Sequence, residues 1–204
     1  MNKIKHFTKI EDILKYIKEK PQFISGFTSG EGCFTAYMGV DTSLTWGLSP
    51  NCEFSITQNS GDLLLLEAFN QYFNGVGKVY DKKDGVHVFM IRNIVNIKKL
   101  IIPFYKEYPL VGTKSYEFEK FFNFVELILS KKHIRPSPIM RQRETFLEMC
   151  NICKNLNSKM VNPKKIARLE FIINWLQNVK NTPPTLAEKE YLKSQLILKS
   201  VQRS

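Results

Sequence analysis

Apolar residues recur at helical spacing at Ile10, Ile13, Leu14 and Ile17, which predicts a first amphipathic helix. Pro21 suits the opening turn of the next. That second helix begins with apolar Phe23, Ile24 and Phe27 and meets glycines at 26, 30 and 32. The period then shortens to two. Phe34, Ala36 and Met38 alternate with Cys33, Thr35 and Tyr37, which predicts a strand. Asp41 to Ser43 reads as a turn. Trp46 to Gln58 reads as a second strand, with Cys52, Phe54 and Ile56 on one face and Asn51, Glu53, Ser55 and Thr57 on the other. Asp62 to Phe73 returns to helical spacing through Leu63, Leu64, Leu66, Phe69 and Phe73, with Asn59 or Ser60 as its cap. Gly75-Val76-Gly77 leads into a hairpin: Lys78 to Lys82 outward, Lys83-Asp84-Gly85 at the turn, Val86 to Arg92 in return. Asn93 to Tyr105 and Tyr116 to Lys131 are amphipathic helices. Beyond Pro136-Ser137-Pro138, helical patterns cover Arg141 to Leu156, Lys164 to Asn178 and Leu186 to Val201. Asn162-Pro163 and Thr185 mark two of their starts.

The order helix, two strands, helix, two strands, helices predicts an α+β fold, a four-stranded antiparallel sheet with helices on one face. The other face stays open. Lys78, Tyr80 and Lys82 share one side of the hairpin, and Met90 shares the face of Arg92. Two lysines flanking an aromatic on an open sheet suit a phosphate backbone; a solvated hairpin edge fits the same residues. A twisted sheet with polar and basic residues outward can lie along a major groove. The chain divides into a domain over residues 1–135 and a basic helical C-terminal extension over residues 136–204.

Composition adds a charge to this picture. A chain of 204 residues with 43% hydrophobic and 12% aromatic content can build one good core and an appendage. Its formal net charge of +11 points towards a polyanion, although a basic chain can also be merely soluble or sit on an acidic membrane. Lys159 to Ser204 holds nine Lys/Arg against three Asp/Glu, so more than half of the excess lies in the extension. Extended backbone contact with nucleic acid and a packed helical cap with a solvated basic face are equal readings of it. No apolar run approaches the roughly 18 residues of a membrane span. The first twenty residues alternate charged and apolar positions, unlike a secretory signal, and Glu11, Asp12 and Glu19 are unlike a transit peptide. Cys33, Cys52, Cys150 and Cys153 read as free thiols. The Cys150–Cys153 pair lies in a helical pattern without a second pair or a nearby His to complete a zinc set. His6, His87 and His133 are scattered and support no His-based site. Enrichment in Lys, Asn, Ile and Phe hints at an AT-rich coding genome, such as an organelle's.

The candidate chemistry lies in the second helix. Ser25, Gly26, Ser29 and Gly30 are spaced to share a face that another backbone can approach closely. Gly30 and Gly32 are expected to stop the helix, with Glu31 between them. A carboxylate at a helix C-terminus is unfavourable by roughly 0.3–1 kcal/mol unless a cation is present. A Gly-rich helix stop with a solvated Glu accounts for the same residues.

The stretch Phe23 to Phe34 resembles the LAGLIDADG homing endonuclease signature, in the variant ending Gly-Glu-Gly-Cys-Phe. Ser29 stands where the signature usually has Asp, and Ser25 where it usually has Ala. Phe54-Ser55-Ile56-Thr57-Gln58 is similar to the family's second strand. Ile102-Pro103-Phe104 followed by Tyr108 through Lys114 is similar to the segment that carries its lysine. The resemblance runs from about Lys9 to about Lys132 and implies the family's αββαββα fold. It further implies that Glu31 and the Gly30 carbonyl hold a divalent metal, Mg²⁺, that Gln58 positions water or metal, and that Lys114 stabilises charge on the scissile phosphate. Nucleic-acid contacts are expected from Cys33, Thr35, Tyr37, Asn51, Glu53, Ser55, Lys78, Tyr80, Lys82 and Arg92. No second Gly-x-x-x-Gly-Glu-Gly stretch occurs, so one chain carries one acidic site. Two strands need two sites, so the expectation is a homodimer through Ser25, Gly26 and Ser29 that cuts double-stranded DNA at a pseudo-palindromic site. Such an enzyme would be intron-encoded. The alternative is a non-catalytic RNA-binding protein of the same descent, an intron maturase or a ribosome-associated protein. Ser29 and the lack of a basic residue in Asn59-Ser60-Gly61-Asp62 suit that alternative, whereas Glu31, Gln58 and Lys114 together suit the nuclease. A DNA-binding repressor without chemistry is a third reading.

Overall fold

The structure, a computed structural model, describes residues 7–82, 85–156, 162–179 and 182–201. The expected turn at Lys83-Asp84, and Lys159, Lys180 and Arg203 of the basic extension, lie outside the described residues. Two compact units divide the chain, Met1–Phe34 with Glu53–Phe118, and Thr35–Cys52 with Glu119–Ser204.

The elements appear in the expected order. Helices α1 (Ile10–Glu19) and α2 (Gln22–Glu31) precede strands β1 (Gly32–Val40) and β2 (Leu48–Asn59). Helix α3 (Leu63–Tyr72) precedes β3 (Lys78–Asp81) and β4 (Val86–Ile91). The four strands form one sheet in the order β1-β2-β4-β3, with β4 antiparallel to both β2 and β3. Phe54 pairs with Ile91 and Ile56 with Phe89, so the apolar sets of both strands fall on one face.

In the first unit that face carries the core. Phe34, Phe54, Phe69 and Phe89 are fully buried, and Tyr105 is nearly so. Phe34 lies 5.4 Å from Phe54 and 5.6 Å from Tyr105 between ring centroids, both spacings of favourable aromatic pairs. Phe23 and Phe27 of α2 extend the cluster to Phe69 of α3.

Three details differ from the sequence expectation. Asn59 makes no side-chain cap; a 3₁₀ turn over Ser60–Asp62 leads into α3 instead. The helix expected over 93–105 is interrupted: α4 (Ile94–Asn96), capped by Asn93, passes through a π-helical stretch, Ile97–Ile101, into α5 (Ile102–Glu107). Pro103 lacks an N–H and its ring crowds the carbonyl four residues back, and a wider π turn accommodates both. Finally, Gly30 does not stop α2, which runs on through Glu31. Gly32 follows in extended, not left-handed, conformation, at φ −80°. Its lack of a side chain is needed for a different reason: a Cβ there would come within 2.3 Å of Thr28 Cγ2 and 2.7 Å of the Thr28 carbonyl oxygen.

The second unit has its own core. Trp46 is buried and donates its indole N–H to Gln142 Oε1 at 2.8 Å, the partner a buried indole needs. Helices α6 (Thr113–Leu129), α7 (Ile139–Asn155), α8 (Pro163–Asn178) and α9 (Leu186–Val201) complete the fold, α6 starting in the first unit. Asn162 caps α8 by accepting from the Lys164 and Lys165 N–H groups. Thr185 and Glu188 form a reciprocal capping box at α9. All four cysteines are free, and burial pushes the Cys150 and Cys153 thiols far up, which makes them core rather than chemistry. No helix among the described residues is long and apolar enough to cross a membrane.

The buried Thr28–Tyr105 contact, 2.7 Å between hydroxyl oxygens, gives a test of this core. Thr28→Val leaves the Tyr105 hydroxyl without a partner and should lower unfolding free energy by about 1–3 kcal/mol in urea denaturation. Adding Tyr105→Phe should recover most of that loss, because both polar groups are then gone.

Candidate functional site

Helix α2 is held along one face by three contacts. Ser25 Oγ donates to the Tyr108 carbonyl at 2.6 Å, Thr28 meets the Tyr105 hydroxyl, and the Gly32 carbonyl just beyond the helix accepts from Lys114 Nζ at 2.9 Å. The spacing three and four places these residues on a single stripe. Ser25, expected at a dimer interface, is buried within its own chain. Ser29 folds its hydroxyl back onto the Ser25 carbonyl at 2.8 Å. Gly26 and Gly30 remain on an exposed face where an added Cβ would touch nothing.

Lys114 begins α6 and is five-sixths buried, its side chain 16% exposed. Beside its bond to Gly32 it pairs with Glu117 at 2.6 Å. Sequence reasoning passed over Glu117, although the i,i+3 spacing to Lys114 signals such a pair. The segment from Tyr105 to Lys114 thus carries an ammonium to the C-terminal end of α2, where the helix dipole is negative. Glu31, at that same end, is exposed, and among the described residues its carboxylate makes no hydrogen bond or ion pair. Gln58 shares no hydrogen bond with Glu31 or Lys114; it sits on β2 opposite His87 of β4. His87 is paired with Asp81 on β3 at 2.5 Å.

The donor set at the end of α2 is oxygen only: the Glu31 carboxylate and the carbonyls of the last helical turn, Gly30 among them. Among the described residues no group of three or more His, Cys, Asp or Glu could cage a metal. A sparse set of hard oxygens fits an ion of the Mg²⁺ kind, which keeps several waters and takes further ligands from phosphate.

The open face of the sheet is more varied than alternation implied. Cys33 and Thr35 of β1 are half-buried and Tyr37 is exposed. On β2, Asn51 is half-buried and engages the Ser49 carbonyl at 2.8 Å, while Glu53 accepts from Arg92 Nε at 3.0 Å. Two expected readers thus hold one another. Ser55, also expected to reach outward, is buried, and its register partner Met90 is nearly so. Lys78, Tyr80 and Lys82 are exposed as expected, and the Tyr80 hydroxyl reaches Met90 Sδ at 3.7 Å.

The sequence profile of the family described as LAGLIDADG endonuclease matches residues 24–125. A probable intron-encoded endonuclease 2 of Neurospora crassa is 26% identical over 165 residues, covering 80% of this chain and 36% of that protein. The chain therefore spans about a third of that relative's length. The solved structure of a homing endonuclease, I-TnaI, superimposes with a TM-score of 0.66 at 26% identity, over 76% of this chain and 97% of that one. The meganuclease I-SmaMI bound to uncleavable DNA superimposes with a TM-score of 0.61 at 25% identity, over 68% of this chain and 45% of that one.

The different settings of Glu31 and Lys114 separate in stability. Glu31→Gln, at an exposed unpartnered carboxylate, should leave the unfolding free energy within about 0.5 kcal/mol of the parent. Lys114→Met breaks two charge-assisted bonds and strands Glu117, and should lose about 1–3 kcal/mol in the same denaturation measurement.

Proposed function

We propose, from the premise that this chain belongs to the LAGLIDADG endonuclease family, that it is a site-specific DNA endonuclease hydrolysing phosphodiester bonds of duplex DNA. The observation that carries the reading is the meeting of Lys114 with the end of α2 that bears Glu31. An unpartnered carboxylate at a helix terminus can hold a cation, and an anchored ammonium at the same terminus can meet a phosphate oxygen directly. Glu31 and the Gly30 carbonyl would hold Mg²⁺, which when bound would stabilise charge on the attacking and leaving oxygens. Lys114 stays fixed by Gly32 and Glu117 and places its positive charge where the phosphate becomes more negative. Gln58 would hold water by its amide.

The open sheet face supplies recognition. Lys78, Tyr80, Lys82, Arg92, Glu53, Asn51, Tyr37, Thr35 and Cys33 are the side chains for groove and backbone contacts. Ser55 takes part only if its neighbours move aside. The Arg92–Glu53 pair offers a guanidinium already oriented for a guanine edge and a carboxylate able to accept from cytosine. We assign residues 1–135 to this domain and 136–204 to the basic extension.

One acidic site serves one strand, so the second comes from a second copy. The exposed Gly26 and Gly30 face, with Ser29 beside it, is where two α2 helices would cross on a two-fold axis. The target is then pseudo-palindromic. The names of the relatives support an intron-encoded gene, and the enrichment in Lys, Asn, Ile and Phe supports an organellar origin.

The test is incubation of the chain and Mg²⁺ with a plasmid carrying the intron-free form of the locus around its gene. Discrete double-strand cutting is expected, and Glu31→Gln should reduce it by about 10²-fold or more while leaving DNA affinity in place. Gly26→Leu with Gly30→Leu should give monomers in sedimentation equilibrium and abolish double-strand cuts. Monomeric behaviour of the parent with full cutting would remove the dimer. Tight binding of intron RNA without any cutting would replace the nuclease by the maturase or ribosome-associated reading.

A further inference from the structure

Basic side chains of the second unit fall into two groups. Lys120 donates to the Asn155 carbonyl at 2.8 Å, Lys154 pairs with Glu170 at 2.7 Å, and Lys189 reaches the Leu44 carbonyl at 2.8 Å. These three are committed to the fold. Lys164, Lys165, Arg168 and Lys193 form no ion pair among the described residues.

The four are not scattered. Lys164, Lys165 and Arg168 line a cleft of about 450 Å³ together with Tyr37 and Met38 of β1 and Leu196 of α9. Arg168 and Leu196 also border a second cleft, of about 210 Å³, whose rim includes Lys193. Among the described residues that line them, neither cleft has an acidic side chain, and Asp41, whose carboxyl Ser43 and then Lys193 help to hold below the usual range, lies outside both linings. The first N–H groups of α8 are satisfied by Asn162, so the charge on offer is that of the side chains and not of the helix end. Like charges gathered in one place repel, and a polyanion relieves that repulsion. Tyr37, 39% exposed, lines this cleft and alternates with Met38 on β1 as Thr35 does, so the cleft includes a side chain proposed above to contact DNA.

We infer that Lys164, Lys165, Arg168 and Lys193 grip the sugar-phosphate backbone of duplex DNA where it runs past β1. The extension thereby adds affinity without reading sequence. This rests on the DNA-binding reading above. Counterion release makes the contribution measurable, because each phosphate contact steepens the fall of affinity with salt by a fixed increment.

The experiment titrates the full chain with mixed-sequence duplex DNA by fluorescence anisotropy across a KCl series. Lys164→Gln, Lys165→Gln and Arg168→Gln combined should lower the slope of log K against log[salt] by about 0.9 per contact and weaken binding roughly fivefold per contact near physiological salt. Lys164→Arg, Lys165→Arg and Arg168→Lys combined should keep the parent's slope and affinity. Unaltered melting temperatures check the fold; should the triple change unfold the chain, the exposed single change Lys193→Gln must still lower the slope by about 0.9. A parent that binds duplex DNA while the neutralised variants keep its slope overturns this inference alone. A parent that binds no duplex takes the DNA reading down as well. A slope change confined to a structured RNA probe overturns it in favour of an RNA surface.

Discussion

The constraint on which the site depends is the fastening of one short helix by its polar stripe. Ser25, Thr28 and the Gly32 carbonyl each meet the segment that runs from Tyr105 to Lys114. Buried hydroxyls and carbonyls are unfavourable unless partnered, so these contacts fix rotation as well as position. Rotation decides everything else about α2. It turns Gly26 and Gly30 to the outside and leaves Glu31 at the rim with no partner among the described residues.

The same fastening carries the lysine. Had the stretch after α5 been a free loop, Lys114 would have reached the site only through a flexible stem. Instead Tyr108 is tied to α2 at Ser25, and the ammonium is tied to Gly32 and Glu117. Pro103 stands in the first turn of α5, directly after the π turn, and Tyr105 follows two residues later.

The polar surfaces divide by whether they are paired. On the sheet, Glu53 and Arg92 already satisfy one another, which orients both. On the second unit, Lys154 and Lys189 are occupied, whereas the cleft beside Tyr37 gathers cations with no acid among its described lining residues. Net charge alone does not distinguish a lysine that braces a loop from one left open to a polyanion; the groups it meets in the fold do.

Periodicity by itself determined the order of helices and strands, the core faces of β1 and β2 and the caps at Asn162 and Thr185, because each is a local pattern of burial or turn chemistry read over a few residues. It also marked Glu31, since a carboxylate between glycines at a helix end is unusual wherever it occurs. Tertiary structure decided what local spacing leaves open. Ser25 and Gly26 sit side by side in the sequence, yet one is buried and the other exposed, because only packing fixes which way a helix is rotated. Gly32 proved to be a demand of Thr28 and not of a left-handed turn, since a steric limit appears only once both backbones are in place. The meeting of Lys114 with Gly32 across 82 residues is likewise a long-range fact, which no window along the chain contains.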